Sequence, residues 1–311
     1  MVPGGVRTPL SAEGLQAIRD GLPEAFAIAE RGLTLFKQLL DQQLREELAV
    51  FGNFPSLFLG LVTADGRWEH CGGQLRVIAS DGSVVADGLR EDDLETLLAE
   101  AVEPWSYLKF PYLRSLGPEA GSYRVGPLAR LNLCERIGTP RADRELLELR
   151  QRGGRVVTAS LLYHLARLIE IVACLEQLEP LLDDPLLLAS HVRARAGVNR
   201  LEAVGVGEAP RGTLFHHYRV DANGLIERVN LIIATGQNNR AMNRTITQIA
   251  RHYLDGQSIR EPLLNRVEAG IRCYDPCLSC STHAAGAMPL LVQLLGPDGG
   301  LLQELRREGS P

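Results

Sequence analysis

Apolar residues recur at three- and four-residue steps through Leu15, Ile18, Leu22, Phe26, Ala29, Leu33, Phe36 and Leu40. That is the period of a helix with one buried stripe, and Pro9 and Ser11 ahead of it are start signals, so a long helix or a helix pair is predicted. The pattern then shortens. Residues 57–62, 74–79 and 83–86 are apolar or β-branched, and Asp81-Gly82 between the last two is a hairpin signal, which predicts a small sheet. Over residues 92–102 an acidic start leads into Leu94, Leu97, Leu98 and Ala101, the spacing of a short amphipathic helix with carboxylates at its N-terminal end. Residues 104–140 read as ordered irregular structure, because Trp105, Tyr107, Phe110, Tyr112 and Tyr123 are too apolar for a solvated linker.

Residues 156–179 give the strongest helical pattern, with Leu161, Leu165, Leu168, Val172 and Leu175 on one side and Pro180 to stop it. Residues 213–220 and 225–234 flank Asp221-Ala222-Asn223-Gly224, a second hairpin. Residues 240–254 predict another helix, and 290–295 with 301–305 a last hairpin around Pro297-Asp298-Gly299-Gly300. No internal repeat or low-complexity segment interrupts the chain. The expected fold class is α+β and helix-rich, with long core helices and small peripheral β-sheets.

Composition narrows the setting. A chain of 311 residues with 45% hydrophobic content can bury a large core in one large or two intimate domains. The net charge is −5 and the basic residues are scattered, which argues against a nucleic-acid partner. No basic segment followed by an apolar core opens the chain. The apolar run 161–172 is broken by His164, Arg167 and Glu170 and falls short of the roughly 20 residues that span a bilayer. A cytoplasmic protein with no membrane span and reduced cysteines is expected.

Residues 268–283 hold three of the six cysteines and one of the seven histidines. Cys277 and Cys280 lie three residues apart across a short turn, so both sulfurs can reach one metal from the same side, and His283 follows three residues later. Cys273, Cys277, Cys280 and His283 could form a self-contained Cys3His zinc knot. A redox Cys-x-x-Cys is a weaker alternative, since Pro276 precedes the pair and no β-α-β unit leads into it. A third alternative needs company from elsewhere in the chain. His216 and His217 point to opposite faces of a predicted strand and cannot chelate one ion, so at most one faces the core. Cys71, Cys134, Cys174 and Cys273 read as buried small hydrophobes, Cys273 lying close enough to the cluster to be checked.

The segment Asp275-Pro276-Cys277-Leu278-Ser279-Cys280-Ser281-Thr282-His283 closely resembles the C-terminal nickel-binding signature of the large, catalytic subunit of [NiFe]-hydrogenases. Ser106-Tyr107-Leu108-Lys109-Phe110-Pro111-Tyr112-Leu113 and Tyr123-Arg124-Val125-Gly126-Pro127-Leu128-Ala129-Arg130-Leu131-Asn132 look like the cytosolic, bidirectional NAD(P)-linked branch. Glu208-Ala209-Pro210-Arg211-Gly212 and Ile232-Ile233-Ala234-Thr235-Gly236-Gln237-Asn238 resemble the two loops that line the family's cofactor.

The resemblance implies a hydrogenase large-subunit fold, reversible heterolytic cleavage of H2, and a nickel-iron centre whose iron carries carbon monoxide and cyanide. Cys277 would be the terminal nickel ligand and first proton acceptor, Cys280 the nickel-iron bridge, and His283 a magnesium ligand. Pro210 and Arg211 would lie over the cofactor, the guanidinium bonding a cyanide and polarising H2, where an unrelated chain would have only a surface arginine. Thr235 would donate to the second cyanide rather than be an ordinary strand-end residue. Electrons would pass to an iron-sulfur small subunit, then on to NAD(P), with diaphorase-type subunits as further partners.

One departure limits the resemblance. The family's N-terminal Arg-x-Cys-Gly-x-Cys stretch, which supplies the other two nickel thiolates, has no counterpart, and Cys71-Gly72 cannot replace it. Residues 1–6 look like an interior segment of the family, so an N-terminally truncated fragment, inactive alone, is expected. Residues 284–311 would be a precursor extension removed by a maturation endopeptidase cutting after His283, leaving 1–283 as a partial large-subunit domain. The alternative is a non-catalytic assembly scaffold or remnant with half the metal site.

Overall fold

Ser11 opens the first helix, its side-chain oxygen accepting from the Gly14 N–H at 3.0 Å. In the computed structural model, which describes residues 2, 4–195, 197–254, 258–277 and 290–307, helix α1 then runs unbroken over Ala12–Gln42, with Pro23 inside it. One long helix is therefore formed rather than a pair, and Leu22, Phe26, Ala29, Leu33 and Leu40 are its buried stripe. After α2 (Arg45–Val50) come β1 (Leu57–Val62), β2 (Gln74–Ile78) and β3 (Val84–Leu89), paired antiparallel. The Asp81-Gly82 turn forms as expected: Gly82 has φ +86, and Asp81 Oδ1 accepts from the Ser83 N–H at 2.8 Å.

Residues 92–102 do not form the expected helix. A 3-10 turn over Glu91–Asp93 leads only into the single turn α3 (Leu94–Leu97); the chain then extends into β4 (Leu98–Glu103), which turns at Pro104-Trp105 to pair with β5 (Ser106–Leu113). The stretch expected as ordered but irregular contains regular elements: β5 is followed by α4 (Gly117–Ala120), β6 (Tyr123–Arg124) and α5 (Pro127–Leu133), every residue of α5 being buried. β6 lies parallel to β1, completing a sheet of order β3-β2-β1-β6 in which every residue of β1 is buried.

α6 (Pro140–Gly153) leads to the expected long helix, which starts later than its pattern suggests. A 3-10 turn occupies Ser160–Leu162, and α7 covers Tyr163–Leu181 with Pro180 in its last turn rather than beyond it. A proline near a helix end still finishes the helix, one residue on. α1, α5 and α6 pack on α7. β7 (Glu202–Ala209), β8 (Gly212–Val220) and β9 (Ile226–Ile232) form an antiparallel sheet; α8 (Ala234–Gln237), α9 (Asn239–Tyr253) and α10 (Glu261–Arg272) follow. β10 (Leu290–Leu295) and β11 (Leu301–Arg307) make the expected tail hairpin, and the Gln303 amide both donates to and accepts from the Ile259 backbone, at 3.0 and 2.7 Å.

Burial divides into two main cores. Leu33, Phe58, Leu128, Ala166, Ile169, Ile249, Cys273 and Tyr274 belong to a helical core around α7. Leu59, Val77, Leu98, Leu113, Val125, Phe215, Ile232 and Ala234 belong to a second core between the sheets. Among the described residues no helix is long and apolar enough to cross a membrane. Two of the cysteines expected to be buried are not: Cys134 and Cys273 are buried, but Cys71 and Cys174 are exposed, one in the loop before β2 and one on the outer side of α7. His217 faces the core and bonds Glu202 at 2.8 Å, whereas His216 is only half-buried on the other face.

Candidate metal centre

Three segments far apart in sequence meet at the edge of α7. The first is the two-residue turn Pro210-Arg211 joining β7 to β8, closed by the pairing of Ala209 with Gly212. Gly126 (φ +101) and Gly212 (φ +139) let this turn lie directly on the chain entering α5: a Cβ on Gly126 would stand 2.7 Å from the Arg211 carbonyl oxygen, and one on Gly212 2.9 Å from the Gly126 nitrogen. The second segment is α8. Tyr123 Oη donates to Gln237 Oε1 at 3.0 Å, and Gln237 Nε2 donates to the Thr213 carbonyl at 2.5 Å. Asn238 pairs with the Val125 backbone as a strand would, accepting from its N–H at 3.0 Å and donating to its carbonyl at 3.3 Å.

The third segment leaves α10. Tyr274 is fastened beneath it by hydroxyl contacts to Ser160 Oγ at 2.7 Å and Thr245 Oγ1 at 2.9 Å. Ser160 is held in turn by Arg124, a fully buried guanidinium lying between the rings of Phe54 and Phe58 at 4.7 and 4.8 Å. Arg167 Nη2 donates to the Cys273 carbonyl at 3.2 Å, and its Nη1 donates to His164 Nδ1 at 3.3 Å, which leaves the imidazole proton on Nε2. Burial, reinforced by Arg167 and Arg272, pushes the His164 imidazole down to about 4.

These segments touch through the residues singled out from sequence. Arg211 Nε donates to the Asp275 carbonyl at 2.6 Å and lies 3.3 Å from its carboxylate. Thr235 Oγ1, buried, accepts from the Cys277 N–H at 3.1 Å. Asp275 has φ +50, the single positive φ outside glycine among the described residues, and the bend aims Pro276 and Cys277 back toward Arg211 and Thr235. The terminal nitrogens of half-exposed Arg211 take no protein partner among the described residues, and Thr235 retains its hydroxyl proton for donation. Pro210 sits on the same turn, its carbonyl accepting from Arg130 Nη2 at 3.3 Å. Cys280 and His283 lie outside the described residues.

Cys273 is not arranged as a fourth ligand of a zinc knot. Its thiol donates to the Ala269 carbonyl at 3.3 Å inside the helical core, and burial pushes it up to about 12. Among the described residues no group of three or more metal-ligating side chains occurs. Several supporting residues were not singled out from sequence: Arg130, Glu170, Glu208, Gln237, Asn238 and Tyr274. The signal available for the first three was an ionisable residue within an otherwise apolar run, as in Leu128-Ala129-Arg130-Leu131 and Ile169-Glu170-Ile171.

The family model for nickel-dependent hydrogenase matches residues 90–283. The chain belongs to that family. Among its relatives, this nickel-dependent hydrogenase chain is 42% identical over 320 residues to the beta subunit of the NAD-reducing hydrogenase HoxS of Cupriavidus necator, covering 98% of the chain and 64% of the relative. It is 36% identical to a chain of the vhc F420-non-reducing hydrogenase of Methanococcus voltae, covering 96% and 64%. A crystal structure of an NAD+-reducing [NiFe]-hydrogenase in the H2-reduced state superposes with a TM-score of 0.85 at 42% identity, over 91% of this chain and 62% of that one. The α+β large-subunit fold is thereby shown, and the hydrogenase chain spans just under two thirds of the length of these relatives.

Proposed function

We propose that this chain contributes one half of the nickel-iron site in the large subunit of a [NiFe]-hydrogenase, catalysing reversible heterolytic cleavage of H2 to protons and electrons. The observation that supports this most is the meeting of Arg211, Thr235 and Cys277 through Asp275 and the Cys277 N–H. The residues suit such a centre: a half-buried cysteine sulfur, disulfide-bonded in this structure and a soft ligand once reduced, a guanidinium whose terminal nitrogens take no partner among the described residues, and a hydroxyl with its proton to spare. Cys277 and Cys280 would hold the nickel-iron centre through their sulfurs, Cys277 as its terminal ligand and Cys280 as the shared one, and His283 would hold a magnesium ion. When bound, a nickel-iron centre with carbon monoxide and cyanide on iron supplies the redox and Lewis-acid chemistry.

The chain's own residues do the rest. The planar guanidinium of Arg211 presents its terminal N–H groups as a fork, which would hold an anionic ligand and polarise a diatomic substrate beside them. Thr235 fixes Cys277 by accepting its N–H while offering its own proton to an anionic ligand. The Cys277 sulfur would take one hydrogen of H2 as a proton, the other leaving with the bonding electron pair to the bound centre. Asp275 limits the swing of Arg211 by holding Nε.

Electrons pass to an iron-sulfur small subunit, then through diaphorase-type subunits to NAD(P), in the cytoplasm. Residues 1–283 form the partial catalytic domain, and 284–311 an extension that a maturation endopeptidase removes after His283. The test is nickel content and H2-dependent dye reduction of the complex purified from its own host through a tag on this chain, with Cys277→Ser beside it. Stoichiometric nickel and dye reduction, both lost in Cys277→Ser, are expected; nickel unchanged by that substitution overturns the reading. Residues 1–311 alone are expected to reduce no dye under H2.

A further inference from the structure

Arg130, on the fully buried helix α5, is 1% exposed, and all five of its N–H groups have partners. Three go to carboxylates. Nε and Nη2 fork onto Glu170 of α7 at 2.7 and 2.6 Å, and Nη1 reaches Glu208 of β7 at 2.7 Å. The other two go to backbone: Nη1 donates to the Ala209 carbonyl at 2.9 Å and Nη2 to the Pro210 carbonyl at 3.3 Å. These are the two residues before Arg211.

The carboxylates are held in place to receive this fork. Glu170 also accepts from Trp68 Nε1 at 2.9 Å; Glu208 accepts from the Leu61 N–H at 3.0 Å and Thr213 Oγ1 at 2.8 Å. Each carboxylate thus takes three donors. One guanidinium therefore connects α5, α7 and the β7–β8 turn inside the protein.

The geometry has a directional result. The proline ring fixes φ at Pro210, and the bond from Arg130 to the Pro210 carbonyl fixes the peptide plane entering Arg211. The plane leaving Arg211 is fixed by Gly126, which lies so close that a Cβ there would stand 2.7 Å from the Arg211 carbonyl oxygen. With both flanking planes held, the direction in which the Arg211 side chain leaves the backbone is set. We propose that Arg130 is a positioning residue for Arg211, holding the turn so that its guanidinium projects across Asp275 toward Cys277. The functional part rests on the hydrogenase reading above; the clamp itself does not. Lysine cannot replace arginine here, because one ammonium cannot serve two carboxylates and two carbonyls lying in a fork.

Amide hydrogen exchange on the full chain without metal tests the clamp, using Arg130→Lys and the milder Glu170→Gln, which weakens the anchor on α7 without touching the turn. Exchange at residues 211–213 is expected to rise at least tenfold in both variants, while 215–218 in the same strand change by less than threefold. Equal acceleration of turn and strand, or none at the turn in Glu170→Gln, overturns the proposal, and the second variant still decides if Arg130→Lys does not fold. In the assembled complex, Arg130→Lys should lower H2-dependent dye reduction at least tenfold alone and less than twofold in an Arg211→Lys background. Additive losses overturn the positioning role. If Arg211→Lys itself changes nothing, the role of Arg211 falls and the exchange result still decides the clamp.

Discussion

Replacing Gly126 by alanine measures how tightly the Arg211 turn is seated. Gly126 has φ +101 and ψ −166, a region open essentially to glycine alone, and holding another residue there costs of order 1–3 kcal/mol. The new methyl would also lie 2.7 Å from the Arg211 carbonyl oxygen and 3.3 Å from its carbon. That oxygen belongs to a turn held by Arg130 on one side and by the pairing of Ala209 with Gly212 on the other, so the overlap is relieved only by backbone movement. Overpacking of this kind adds about 1–2 kcal/mol, for a total of about 2–5 kcal/mol. Gly72→Ala is the control: its φ is +74 but nothing lies within 4 Å of the added Cβ, leaving a conformational cost of about 1 kcal/mol. Urea unfolding of the two variants beside the parent gives the comparison directly, and nickel content of the assembled complex should fall in Gly126→Ala only. Equal destabilisation by the two substitutions would refute close seating of the turn.

Tyr274→Phe removes the hydroxyl joining Ser160 to Thr245 and should cost about 1–2 kcal/mol in urea unfolding, with Thr245→Val adding little further in that background because the same contact is already gone. His164, held near 4 in the fold against an ordinary 6.5, is kept neutral by burial and its arginine neighbours. Its contribution is fully present above about pH 6.5 and drains away as the unfolded chain protonates between 6.5 and 4, on the order of 2–3 kcal/mol. His164→Gln should therefore lose less stability than the parent between pH 7 and pH 4.5, and parallel losses would discount the assignment. Thr235→Val leaves the Cys277 N–H without its acceptor and should lower nickel retention during dialysis against chelator, whereas Thr235→Ser should restore it.

Where one face of an element stays polar, the chain pattern was legible. The stripe of α1, the Asp81-Gly82 turn and the hairpins of β8 with β9 and β10 with β11 all follow from local period and turn chemistry. α5 was hidden because it is buried on every side, and a helix without a polar face has no amphipathic period to read. β4 was mistaken for helix because Leu94, Leu97, Leu98 and Ala101 satisfy a helical spacing, while what decides is pairing with β5, a partner that local pattern does not specify. Gly205 and Gly207 similarly thin the strand signal of β7. α10, absent from the elements expected above, carries a readable signal, Pro262 near its start with Leu264, Val267 and Ile271 at three- and four-residue steps. At the site, Arg211, Thr235 and Cys277 were recognisable from their motifs, and the structure brings them together; Arg130 was not, because its partners Glu170 and Glu208 lie on other elements. The exposed thiols of Cys71 and Cys174 show the same limit, since burial depends on neighbours that residue type does not reveal.

The division of the molecule into two cores has a mechanical consequence. Cys273 and Tyr274 are anchored in the helical core, whereas Val125, Phe215, Ile232 and Ala234 belong to the core between the sheets. Arg211 and Thr235 therefore face Cys277 across a joint, crossed by the contacts to Asp275 and the Cys277 N–H, by Tyr163 Oη donating to the Val125 carbonyl at 3.0 Å, and by the Arg130 fork that ties Glu170 to Glu208 and the Pro210 carbonyl. A slip of about an ångström along this joint is enough to break such hydrogen bonds while leaving either core packed. On warming, the bond from the Cys277 N–H to Thr235 is then expected to open before the helices and sheets melt, which amide exchange at Cys277 followed beside circular dichroism would check.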